Sequence, residues 1–69
     1  MNHFIVFYAG LVYGEFSLTT KPPLYEFPEG CYLYYPKCIY GKHWYLKDMT
    51  PVLLQDVPKE LLLNVLLLT

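Results

Sequence analysis

The chain contains no arginine: its basic residues are five lysines, Lys21, Lys37, Lys42, Lys47 and Lys59. The planar guanidinium fork grips phosphates and guanine edges at two points at once, so its absence removes the usual tool of base-specific nucleic-acid recognition. Charge of either sign is scarce, at 16% of residues against about a quarter in ordinary domains. A formal net charge of −1 supplies no long-range field for nucleic acid or anionic lipid, and nucleic acid is not the expected partner.

Cysteine is nearly absent too. Cys31 and Cys38 are separated by six residues, with His43 five positions further on and His3 remote. Zinc asks for four nitrogen or sulfur ligands, usually with closely spaced cysteine pairs, so no metal and no cofactor are expected. Two cysteines on neighbouring strands could face each other, but in a reducing compartment they read as free thiols. No apolar run approaches the ~20 residues that span a bilayer. The opening MNHFIVFYAGLVYGEF is apolar, but it has no basic stretch ahead of it and includes Glu15. It reads as folded protein rather than a signal peptide, which makes a cytoplasmic chain with no membrane association the expectation.

Catalytic grammar is missing as well. Cys38, His43 and Asp48 are each five positions apart. In one continuous strand an odd spacing puts neighbours on opposite faces, so the three do not form a nucleophile, base and orienter. Glu26 and Glu29 fall in a proline loop and read as solvated. No catalytic residue is identified, and the chain is not expected to be an enzyme.

What the sequence does have is grease. Hydrophobic residues make up 55% of a chain of only 69. A single domain this short buries only about 60% of the surface its unfolded form exposes, so part of that apolar complement must face outward and meet something. Residues 3–8, HFIVFY, are β-branched and aromatic, and favour a strand. Ala9-Gly10 reads as a turn and LVYGEFSL as a second strand, with Gly14 marking a bulge. Residues 19–30 hold three prolines and form a loop. CYLYY is a third strand, ended by Pro36-Lys37. CIYGKHWYLK is a further one, bent at Gly41, with Lys42, Trp44 and Leu46 on one face and His43, Tyr45 and Lys47 on the other.

The pattern then turns helical. Thr50-Pro51 reads as a cap and first position of a short turn over PVLLQ. Asp56, Pro58 and Glu60 mark a second start, with the final helix running from about 57 or 58 to 67. The expected fold is one α+β domain over 1–69: a three- to four-stranded antiparallel sheet within 3–47, and a helical C-terminal segment, 50–68, packed on one face.

From Leu61 to Leu68 only Asn64 is polar. The sheet can take Leu61, Val65 and Leu68, or Leu62, Val65 and Leu66, but not both sets plus Leu63 and Leu67. Either loop residues such as Leu24, Tyr25 and Phe27 roof the helix, or another chain covers it. Leu63 and Leu67 are therefore assigned to self-association, with a homodimer through the C-terminal helix expected.

The eight tyrosines are the other excess. A buried hydroxyl needs a partner, so a core prefers Phe or Leu, whereas Tyr suits a surface with one end apolar and one end wet. Tyr32, Tyr34, Tyr35, Tyr40 and Trp44 are assigned to binding a protein partner. The expected function is a non-catalytic protein-interaction module, an inhibitor or adaptor in the style of small accessory proteins of phages and mobile elements. The alternative is single-stranded nucleic-acid binding through Lys42, Trp44, Tyr45 and Lys47, whose lysines and rings alternate as on a stacking platform. Pro22-Pro23-Leu24-Tyr25 also matches PPxY, a short polyproline ligand pattern that doubles as an ordinary rigid loop.

Overall fold

The computed structural model describes residues 3–17 and 26–68, the side chain of Leu68 excepted. The PPxY stretch, Leu24, Tyr25 and most of the proline loop lie outside the described residues. The architecture is a four-stranded antiparallel sheet with one C-terminal helix, the α+β arrangement expected from the sequence. The strands are β1 (His3–Tyr8), β2 (Leu11–Ser17), β3 (Tyr32–Ile39) and β4 (Lys42–Leu46), in the spatial order β2-β1-β3-β4, and the helix is α1 (Lys59–Leu68).

β1–β2 and β3–β4 are each joined by a two-residue turn. Ala9 and Gly10 have φ of 54° and 81°, and Tyr40 and Gly41 have φ of 52° and 78°. Positive φ at both central residues is the type I′ pattern, whose twist matches that of the flanking strands. The second hairpin corrects the expected single strand over 38–47: the chain reverses at Tyr40-Gly41 rather than bending. Pro36 does not end β3 either. Pairing runs from Tyr34 opposite Trp44 to Ile39 opposite Lys42, so four β3 residues, Tyr35 to Cys38, face the single β4 residue His43. A proline has no N–H to give the ladder, and here it is accommodated in a wide bulge. The bulge expected near Gly14 is present: Val6 pairs with Gly14 and Phe7 with Val12, leaving Tyr13 as the extra residue.

β1 lies between β2 and β3, and Phe4, Ile5, Val6 and Phe7 are all buried. A strand buried at four consecutive positions needs cover on both faces. On one face, Phe4, Val6, Leu33, Tyr35 and Tyr45 pack with Phe27 and Cys31, and Phe16 borders them. On the other, Ile5, Phe7 and Trp44 pack with Val57 and Leu61, and Tyr32, Tyr34, Leu62 and Val65 border them. Phe27 therefore covers the face opposite the helix and does not roof α1. The sheet takes neither proposed set whole: Leu61 is buried, Leu62 and Val65 pack half-buried beside it, Leu66 is exposed, and the side chain of Leu68 lies outside the described residues.

Asn64, the only polar residue in the leucine run, adds a polar tie to the packing of Leu61. Its Nδ2 donates to the carbonyl of Gly10 at 2.7 Å, tying α1 to the β1–β2 turn. The segment before α1 is not helical from Pro51 as expected. Leu46 N donates to Thr50 O at 2.8 Å, Val52 N donates to Trp44 O at 2.9 Å, and Tyr45 bridges Pro51. Residues 50–52 thus extend along the outer edge of β4, a place where a proline without an N–H is tolerated. A 3-10 turn follows at Leu54–Asp56. Asp56 does not cap α1: the carbonyl of Pro58 accepts from Leu61 N at 3.0 Å, which makes Pro58 the residue that opens the helix.

Candidate interaction surface

The five aromatic residues assigned to a partner are divided by the pleat. Tyr35 sits in the first cluster, its ring 5.1 Å from Phe4 and 5.4 Å from Tyr45. Trp44 sits in the second, 5.7 Å from Phe7 and 4.8 Å from Tyr34. Both are buried, and their rings hold the sheet together. Tyr32 and Tyr34 are half-buried on the helix side. Only Tyr40 projects fully, with 91% of its surface exposed at the tip of the second hairpin.

Leu63 and Leu67, assigned to self-association, lie one helical turn apart and are 60% and 84% exposed. They are on the side of α1 away from Leu61, as the helical period requires. The four residues of the nucleic-acid alternative do not form a platform. Trp44 and Tyr45 are buried on opposite faces, and Lys47 Nζ donates to Phe27 O at 2.7 Å and lies 3.3 Å from Glu29.

A groove of about 330 Å³ opens beside the β3–β4 hairpin. Its lining includes Trp44, Cys38, Lys42, His43, Leu53 and Leu54. Two local features build it. The wide bulge carries Cys38 outward, and the extended 50–52 segment places Leu53 and Leu54 beside the sheet at 52% and 66% exposure. The His43 ring packs edge-on to Tyr34, 5.8 Å away. Among the described residues no acidic side chain lines the groove, and neither Lys37 nor Lys42 has an acidic partner. Leu53 and Leu54 were not singled out from sequence. The signal available was two adjacent leucines between a proline and a run of polar residues.

The residues considered for chemistry are dispersed. Cys31 is buried just before β3 and Cys38 is exposed near its end, so the two do not face each other across a hairpin, and both are free thiols. Burial pushes the Cys31 thiol above its ordinary pKa, with the Lys47 charge offsetting part of the rise. Cys38 and His43 share the groove, but Asp48 is occupied elsewhere, its Oδ1 accepting from Thr50 N at 3.0 Å. Among the described residues no group of three or more His, Cys, Asp and Glu could hold a metal ion, and no helix is long and apolar enough to cross a membrane. Compared with known proteins, the chain matches no family model, no curated protein and no solved structure.

Proposed function

We propose that this chain is a non-catalytic protein-interaction module that acts by binding a protein partner and inhibiting or redirecting it. The observation that carries this reading is the apolar surface left over after both sheet faces are filled. Leu53, Leu54, Leu63 and Leu67 are each more than half exposed, and Tyr40 almost completely. Each fully buried leucine is worth roughly 1.5–3 kcal/mol relative to one left in water, so a partner that covers several of them gains a substantial driving force. The small size and absence of catalytic grammar match the style of accessory proteins of phages and mobile elements, which is an analogy of scale alone.

Self-association through α1 belongs to the same reading. Leu63 and Leu67 form an uncharged pair at i and i+4, the spacing with which a helix presents a stripe to its neighbour. Light scattering after size exclusion, over a concentration series, tests this. The expected result is a dimer that Leu63→Asp with Leu67→Asp converts to a folded monomer. A monomer at every concentration removes self-association. Loss of folding in variants at exposed leucines would remove the module reading itself, because the leucines would then be serving the fold.

A further inference from the structure

We propose that the groove beside the β3–β4 hairpin binds a segment of a partner protein in which acidic residues flank an apolar anchor. This rests on the reading of the chain as a protein-interaction module and names the partner chemistry of one surface. The groove supplies an apolar seat on the exposed Leu53 and Leu54, with the largely buried Trp44 also among its lining. The one fixed charge among its lining residues is Lys42, Lys37 adjoins Cys38 in the bulge, and no carboxylate is among the lining residues. The chain as a whole is slightly acidic, at −1, so this local basic rim is set apart from the average surface. Charge complementarity selects an acidic segment and disfavours a basic one, while the seat demands an apolar side chain.

The hairpin tip carries a second observation. A type I′ turn favours Asn-Gly, because Asn accepts positive φ readily. Here a tyrosine takes that position at φ 52°, and its ring gains no burial in return. Tyr40 stands between Cys38 and Gly41, both of which line the groove. An exposed ring in a turn position that prefers Asn is suited to closing over a bound segment, since Tyr is enriched among the residues that dominate binding energy.

The test is selection of random displayed peptides on the immobilised intact protein, followed by affinity measurements with the enriched peptides as synthetic fluorescent probes. The enriched peptides should carry Asp or Glu around Leu, Phe or Trp. Their affinity should fall by at least about ten-fold for the double variant Lys37→Glu, Lys42→Glu, and similarly for Leu54→Asp. All three positions are exposed, and melting curves confirm that the variants remain folded.

Enriched peptides without acidic residues, or affinity that survives both variants, overturn the proposal. A single-stranded oligothymidylate that binds at low salt and is lost in the Lys double variant overturns it in favour of nucleic acid. Peptides that bind at Leu63 and Leu67 instead, losing affinity with Leu63→Asp, overturn the groove but leave the interaction module standing. No enrichment, together with a monomer at every concentration, overturns both.

Discussion

The two hairpins use the same turn and put it to different ends. Ala9-Gly10 and Tyr40-Gly41 both reverse the chain with positive φ at both central residues. The first turn is built into the domain: Gly10 accepts the Asn64 side chain, and a Cβ on Gly10 would already touch Glu60 of the helix at 3.5 Å. The second turn stands clear, with nothing within 4 Å of a Cβ on Gly41 and the Tyr40 ring in water. Identical backbone chemistry therefore says nothing about role. The surroundings decide it: one tip anchors the helix, and the other stands in solvent.

The largest expected effect falls where the two hairpins meet. Phe7 of the first hairpin is fully buried with its ring 5.7 Å from Trp44 of the second. Phe7→Ala should cost about 3–5 kcal/mol, enough to abolish or nearly abolish folding in a domain this small. Both hairpins should lose structure together in a urea titration followed by Trp44 fluorescence and by circular dichroism. Separate transitions by the two probes would mean that the hairpins are independent units and that the shared core is weaker than its packing implies.

Next comes the backbone itself. Gly10→Ala and Gly41→Ala place a Cβ at φ of 81° and 78°, and the left-handed region costs a non-glycine residue roughly 1–2 kcal/mol. The two losses should be equal within error, because 3.5 Å at Gly10 is ordinary van der Waals contact and adds no clash. A clearly larger loss at Gly10 would show that the helix sits closer to the turn than the structure places it.

Side chains at the two tips should then separate the hairpins. Asn64→Ala removes the bond that holds α1 to the first tip and should cost about 1 kcal/mol. Tyr40→Asn at the second tip creates the preferred Asn-Gly turn and should be neutral or stabilising by a few tenths of a kcal/mol, while weakening any segment bound in the neighbouring groove. Equal losses at both positions, read from denaturation midpoints, would erase the distinction between an anchored tip and a free one.

How much of this was legible beforehand follows the range of the physics involved. Short-range signals were readable. The β-branched and aromatic run at 3–8, the Ala9-Gly10 turn, the bulge at Gly14 and the leucine-rich helix all depend on neighbours within a few positions. Pro36 and Pro51 misled because a proline excludes an N–H bond without saying what replaces it: a bulge inside β3 in one case, an extended edge segment in the other. The aromatic assignments depended on a single exposed face. This sheet is covered on both faces, so Tyr35 and Trp44 went inward where an exterior role was expected, and of the five only Tyr40 stands fully clear of the sheet. The Asn64–Gly10 bond joins positions 54 apart, and no local pattern announces it. The groove likewise needs the bulge and the 50–52 segment together, two features that each looked different in the sequence.

The smallest effect lies at a third turn, where Met49 has φ of 70° and Met49 N donates to Leu46 O at 2.8 Å. Asp48 secures it: hydrogen bonds from the Thr50 side chain and then from the Thr50 N–H hold its carboxyl below the ordinary aspartate pKa. A carboxylate whose pKa is lower in the folded than in the unfolded chain stabilises the fold fully above the unfolded value. That stabilisation is lost as pH falls through the folded value. The group is fully exposed, so the contribution is small and screened by solvent. Asp48→Asn keeps an acceptor for Thr50 but cannot titrate. Melting temperatures should therefore differ slightly between the two proteins near neutral pH and converge in acid. A difference that persists unchanged at acid pH would mean that the substitution acts through turn geometry rather than through the charge. The turn that seats residues 50–52 on β4, and so sets the position of Leu53 and Leu54, would then hold independently of pH.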